Sequence, residues 1–187
     1  MSPFLKTFAI ASCGTSFPSP NIPNFETALI YPGTCFIEGT NVSEGRGTDD
    51  PFLTIGAPYI NSEELINKLK SLQIAGIEFS PSSFTPVNKK GKAIHPKYEG
   101  INCYGVKFKL TDKNRFKAVE FGVYLIYVLI KLYPDNFKFK DNYFDKLAGT
   151  DKLRKDLLAG KNPSAIIRSW ESELEEFKSI RKKYLLY

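Results

Sequence analysis

CYGVKFKLTDKNRFKAVEFGVYLIYVLIKLYPD, residues 103–135, carries two periodicities in succession. In Cys103–Leu110, Val106, Phe108 and Leu110 alternate with Lys107 and Lys109, the period of two expected of a strand with one buried and one wet face. Thr111-Asp112 offers capping side chains, and the next stretch, roughly Arg115–Tyr133, predicts a helix whose middle, Phe121–Ile130, is apolar on every side. Such a helix has to be surrounded by protein, so it predicts a buried central helix beside a sheet. Pro134-Asp135 ends it. The apolar run is about half of what a membrane-spanning helix requires, and Lys117 and Lys131 bracket it, so it reads as core and not as a span.

Working outward, Phe137–Phe144 is aromatic without a clear element, and Asp151–Ala159 predicts a short helix closed by Gly160. Asn162-Pro163 supplies a cap and a first-turn proline for a long carboxy-terminal helix. On it Ile167, Trp170, Leu174, Phe177, Ile180 and Tyr184 recur at three and four, a packing seam for the core or a domain interface. Upstream, Ile77–Phe79 predicts a strand ended by Ser80-Pro81, and residues 85–100 predict a long basic loop. Asn61-Ser62-Glu63-Glu64 opens a helix with Leu65, Ile66, Leu69 and Leu72 on one face. Within Pro51–Ile60, Gly56 and Pro58 argue against a regular element. Thr34–Ile37 predicts a buried strand, and Thr27–Tyr31 a short strand-prone or helical run broken by Pro32-Gly33. Phe17–Asn24, with three prolines, reads as a linker into the domain, preceded by a lead-in over 1–16. There Ile10-Ala11-Ser12-Cys13 has the look of a lipoprotein cleavage box, but Lys6 breaks the short apolar stretch before it, so no export signal is legible. The expectation is one α/β (mixed α+β) domain over 17–187 with a mixed sheet, a buried central helix and a long carboxy-terminal helix, without repeats.

The composition narrows the chemistry. With 42% hydrophobic, 25% charged and 14% aromatic residues, the 187-residue chain has the make-up of a folded domain and not of a disordered one. The net charge of +6 comes from scattered lysines without an arginine-rich stripe, which points away from a nucleic-acid partner. Three cysteines without a Cys-x-x-Cys spacing and one histidine, His95, predict no metal site, no disulfide framework and no Ser or Cys triad. Neither a phosphate-loop nor a dinucleotide fingerprint is present, and no cofactor is expected.

One loop is dense enough to be a site. Residues 38–48 bring together Glu38, Thr40, Asn41, Ser43, Glu44, Arg46 and Thr48, with glycines at 39, 45 and 47. Arg46 could hold a carboxylate bidentately, and carboxylates, amides and hydroxyls are the groups that grip sugars. Paired carboxylates also drive glycoside hydrolysis. By spacing alone, such a loop is more often structural than catalytic.

Pro18-Ser-Pro-Asn-Ile-Pro23, Glu26-Thr-Ala-Leu-Ile-Tyr-Pro-Gly33 and above all Glu38-Gly-Thr-Asn-Val-Ser-Glu-Gly-Arg-Gly-Thr48 resemble the NamZ-type exo-β-N-acetylmuramidase family. The likeness continues through Pro51-Phe52, Gly56-Ala-Pro-Tyr-Ile60, Phe84-Thr-Pro86, Gly105-Val106, Thr111-Asp112, Arg115-Phe116, Tyr133-Pro134, Gly149-Thr150 and Lys183-Tyr-Leu-Leu-Tyr187. The resemblance implies a two-domain enzyme that releases N-acetylmuramic acid from the non-reducing end of peptidoglycan. In it a Rossmann-like amino-terminal domain carries the catalytic glutamate, and a carboxy-terminal domain closes over the cleft. Residues 17–187 correspond to the second domain, so the chain is expected to bind muramyl sugar or peptidoglycan fragments and to be inactive without a separately encoded first domain. Family members act on cell-envelope material, often outside the cytoplasm. On the matching loop, Arg46 is expected to hold the lactyl carboxylate, and Thr40, Asn41 and Ser43 to bind hydroxyl or acetamido groups. Glu38 and Glu44 are expected to assist acid–base chemistry at most, or to fix Arg46 through an internal salt bridge. The alternative is a stand-alone module that binds cell-wall sugar or self-associates, without hydrolysis.

Overall fold

The alternating segment Cys103–Leu110 is the middle strand of the sheet, and the all-apolar segment after it is the helix around which the chain packs. The computed structural model describes residues 18–185; residues 1–17, which include the lead-in and Cys13, and residues 186–187 lie outside the described residues. Strands β1 (Thr54–Ala57), β2 (Ile77–Phe84) and β3 (Cys103–Leu110) pair in the order β1-β3-β2. Val106 stands opposite Ile55 and Pro81, and Phe108 opposite Phe79. Val106 and Phe108 are buried while Lys107 and Lys109 face solvent, as the alternation requires.

The helices are α1 (Phe25–Thr34), α2 (Ser62–Ser71), α3 (Ala118–Leu132), α4 (Asp141–Ala148), α5 (Lys152–Leu158), α6 (Pro163–Arg168) and α7 (Glu171–Arg181). Tight 3-10 turns span Cys35–Gly39 and Lys182–Tyr184. Asn24, Asn61 and Asn162 each cap a helix, accepting from the backbone N–H of Thr27, of Glu63 and Glu64, and of Ser164. Along α3, Phe121, Val123, Leu125, Ile126, Val128 and Leu129 are buried, and Phe121 meets Phe108 edge to face with centroids 5.1 Å apart. Helix α1 crosses α3 at two glycines: a Cβ on Gly122 would lie 2.8 Å from the Cα of Gly33, so only glycine permits this approach. That crossing fixes the end of α1, from which the candidate site departs. Among the described residues no helix is long and apolar enough to cross a membrane.

The mixed α/β class and the buried central helix stand as expected, and several details differ. The sheet is antiparallel throughout where a mixed one was expected. Thr27–Tyr31 is helical, and the helix continues through Pro32 because that ring points to solvent while Ile30, Gly33 and Thr34 are buried. Thr34–Ile37 is buried but forms the 3-10 turn instead of a strand; short apolar runs do not distinguish the two. Strand β1 forms across Gly56, which sits opposite Gly105, and a Cβ there would come within 2.6 Å of the Tyr104 carbonyl. Strand β2 runs past Ser80-Pro81 because it is an edge strand, where a missing N–H is tolerated. Helix α3 starts at Ala118 without a side-chain cap, and Asp112 instead accepts from the N–H groups of Asn114 and Arg115. The long carboxy-terminal helix is two, broken at Ser169-Trp170, and its seam is not core: Leu174, Phe177 and Ile180 are 48%, 59% and 48% exposed.

Candidate functional site

The glycine-punctuated loop leaves the 3-10 turn and is stitched to three neighbours. Thr40 bridges to Phe139 ahead of α4, Ser43 exchanges backbone hydrogen bonds with Gly56 of β1, and Gly47 accepts from the N–H of Val87. Gly45 and Gly47 hold φ of +75° and +84°, and a Cβ on either would meet a carbonyl oxygen, of Thr54 or of Val87, at 2.6 Å. The turn therefore demands glycine at both places, for backbone angle and for space. Its consequence is that Glu44 and Arg46 come back to Glu38 at the start of the loop.

Four charges meet there. Arg46 Nη2 donates to Glu38 Oε2 at 2.6 Å, and Arg46 Nε lies 3.5 Å from Glu44 Oε1. Lys97, from the basic loop, places Nζ 2.9 Å from Glu44 Oε2. The same ammonium donates to the carbonyls of Ile37, Glu38 and Val42 at 2.9, 3.2 and 2.9 Å. The Arg46 guanidinium lies over the ring of Phe52 at 5.4 Å, and Phe52, itself at φ 63°, meets Tyr31 of α1 edge to face. The side chains of Glu38, Glu44 and Lys97 are 9%, 7% and 17% exposed, that of Arg46 36%, so Arg46 is the member of the cluster that meets solvent.

Burial shapes the electrostatics. It pushes the Glu38 carboxyl above the ordinary glutamate range, with Arg46 pulling it down and Glu44 pushing it further up. Burial likewise lowers Lys97, opposed by Glu44. Tyr31 and Tyr143 are raised by burial and then by Glu38, and the Cys35 thiol is pushed up to about 11 by the same two causes. Those three groups lie close enough to Glu38 to feel its charge. Among the described residues two buried side-chain atoms have no aligned hydrogen-bond partner, Glu44 Oε2 and Arg46 Nε, although Lys97 stands at ion-pair distance from the first. An arginine held by acids behind it and partly exposed has the chemistry to take a carboxylate on its open side. Among the described residues no group of three or more His, Cys, Asp or Glu could hold a metal ion.

Of the expected site residues, Glu38, Glu44 and Arg46 are brought together. Thr40, Asn41 and Ser43 are placed otherwise. Thr40 is fully buried, donating to the Ile37 carbonyl and accepting from the Val42 N–H. Asn41 donates to the Asn136 carbonyl and accepts from Tyr59 and from the Lys138 N–H. Ser43 is 1% exposed and accepts from the Gly45 N–H. Thr40 and Ser43, both buried, and half-buried Asn41 are engaged in shaping the turn, because polar groups in a tight loop satisfy the backbone first. Lys97, Phe52, Tyr31 and Tyr143 went unforeseen; they lie up to 112 residues apart in the sequence and come near the loop only through the fold's closure, and for Lys97 the sequence offers no signal beyond one lysine in a basic loop.

The chain is similar to known proteins. The family model described as "Exo-beta-N-acetylmuramidase NamZ, C-terminal" matches residues 29–187. The chain is 44% identical over 171 residues to the peptidoglycan beta-N-acetylmuramidase NamZ of Bacillus subtilis (strain 168), covering 91% of this chain and 40% of that protein. A crystal structure of a DUF1343 family protein from Bacteroides fragilis superimposes with a TM-score of 0.78 at 23% identity, over 90% of this chain and 44% of that one, a likeness of fold. A second DUF1343 family protein from the same organism gives 0.63 at 31% identity, over 91% and 43%. The chain thus spans about two fifths of the length of the curated relative that it matches.

Proposed function

The chain belongs to the NamZ exo-β-N-acetylmuramidase carboxy-terminal family, and from that premise we propose that it forms the substrate-side half of a peptidoglycan glycosidase releasing N-acetylmuramic acid from non-reducing ends. The observation that carries this reading is Arg46: a guanidinium backed by Glu38 and Glu44, with 36% of its side chain exposed. Muramic acid differs from the other peptidoglycan sugar by its lactyl carboxylate, the group that a planar guanidinium recognises best. In this reading Arg46 binds that carboxylate, Glu38 and Glu44 hold Arg46 in place until it arrives, and the main catalytic glutamate comes from a Rossmann-like amino-terminal domain closing over the cleft. Hydrolysis needs two carboxyl groups across the glycosidic bond, whereas Glu38 and Glu44 both bind one guanidinium. That favours a supporting role for this pair.

Two measurements test the proposal. The purified chain alone should release no chromophore from a chromogenic muramide, and adding the amino-terminal domain of the Bacillus subtilis relative should restore turnover. Turnover by the chain alone would refute the division of labour. Arg46→Ala should weaken binding of N-acetylmuramic acid and leave that of N-acetylglucosamine unchanged; equal losses for both sugars remove the role given to Arg46.

The uncovered stripe on α7 favours a second reading, in which the chain binds cell-wall sugar and associates with itself. Sedimentation velocity separates the two: a dimer that dissociates in Phe177→Lys supports self-association, and a monomer supports a companion domain as the cover.

A further inference from the structure

The four charges around the loop sum to zero, Glu38 and Glu44 against Arg46 and Lys97, and three of the four side chains are less than a fifth exposed. A carboxylate arriving at Arg46 adds a third negative charge to a neutral, largely buried cluster. Such a site restores balance most readily by protonating one of its acids, because isolated buried charge is costly. Glu38 is the acid in place to respond. Its pair with Arg46 is through one oxygen and one nitrogen, so a ligand that draws the guanidinium outward undoes its strongest partner. Glu44, by contrast, keeps Lys97 at 2.9 Å, a cation whose side chain is only 17% exposed. The groups facing Glu38 are Arg46 and Glu44 from its own loop, Lys97 from the basic loop, Tyr31 of α1, Cys35 of the 3-10 turn and Tyr143 of α4. None but Arg46 and Lys97 is a cation, and Lys97 is committed to Glu44 and three carbonyls.

We infer that a carboxylate seated on Arg46 loosens the Arg46–Glu38 pair and that Glu38 then takes one proton from solvent, so that the bound ligand faces a neutral carboxyl able to donate. The balance is simple: one O–H bond forms on the Glu38 carboxylate, one solvent proton is consumed, and the guanidinium exchanges one carboxylate for another. Burial already biases Glu38 toward holding a proton, in support of the geometry. The inference rests on Arg46 as a carboxylate clamp and deepens it. It makes proton uptake conditional on an acidic sugar: a neutral sugar leaves Glu38 ionised, whereas a muramyl residue arms it. A proton donor beside the sugar is what protonation of a departing glycosidic oxygen requires.

The test is carbon-13 NMR of the whole chain labelled at glutamate and arginine. The Glu38 carboxyl signal is assigned by its loss in Glu38→Gln, or by its shift in Glu38→Asp should that variant alone fold. Its titration is followed without ligand and with saturating lactate, N-acetylmuramic acid or N-acetylglucosamine. Lactate should raise the protonated-to-charged ratio of Glu38 about tenfold at a fixed pH within the transition. N-acetylmuramic acid should do the same, N-acetylglucosamine should not, and Arg46→Ala should abolish the response. No response to lactate overturns the inference, whether or not lactate shifts the Arg46 side-chain signal, and so does an equal response to N-acetylglucosamine. A response to lactate but not to N-acetylmuramic acid upholds it and instead sinks the muramyl reading above.

Discussion

Lys97 illustrates how much one residue can carry. Its ammonium serves Glu44 and three carbonyls of the 3-10 turn and the loop, so removing it leaves a buried carboxylate uncompensated and three acceptors without their donor. Lys97→Met should cost about 3–5 kcal/mol in urea unfolding, the range for breaking a buried pair from one side; a cost near that of a surface lysine would mean that the cluster tolerates the loss. Glu38 sets a pH dependence. Its folded pKa is raised, chiefly by burial, so the folded protein holds this proton more tightly than the unfolded chain. The stability that it contributes is full below the ordinary glutamate pKa and is lost as pH rises through the raised folded value. Unfolding free energies of wild type minus Glu38→Gln should therefore fall from acid toward neutral pH and then level off; a difference that grows over that range reverses the sign argued here. Loop 38–48 was legible as a dense group of acids, amides and one arginine, yet which of them turn inward was not. Thr40, Asn41 and Ser43 have the same chemistry whether they serve a ligand or the backbone.

At the scale of elements, the decisive contact is the crossing of α1 and α3 at Gly33 and Gly122. It sets where the 3-10 turn begins and hence where Glu38 stands. Gly122→Ala should cost about 1–3 kcal/mol by forcing the helices apart in a packed core, with near-complete retention of helical circular dichroism. An unchanged melting temperature would show the crossing to be loose. Periodicity revealed β3 and α3 because each is long and strongly patterned. It failed for β1 and for the second half of β2. Gly56, Pro58 and Pro81 look like breakers in isolation, and only the pairing of Gly56 with Gly105 and the edge position of β2 make them acceptable.

For the molecule as a whole, the core and the uncovered surface are segregated. Ile30, Leu65, Leu69, Leu125, Ile126 and Leu129 are entirely buried, while α7 buries no residue along its length. Leu174, Phe177 and Ile180 face outward beside Val119, Ile167 and Trp170, which line a groove between α3 and α7. An 11-residue helix is marginal by itself in water, so its apolar face calls for a cover. Leu174→Lys with Phe177→Lys should change the stability of the isolated chain by no more than about 0.5 kcal/mol per site while lowering turnover reconstituted with the amino-terminal domain. A large loss of stability would instead place α7 in this domain's own core.

By itself the sequence determined the class of fold, the buried helix, the caps at Asn61 and Asn162 and the family, because each is written in local pattern: a period of two, an unbroken apolar run, a polar residue ahead of a helix, a contiguous motif. Only tertiary structure decided that Lys97 joins Glu44, that three polar loop residues face the backbone, and that the terminal seam lies open. Those outcomes depend on which distant segments come within a hydrogen bond of one another, and side-chain chemistry read along the chain is the same for either result.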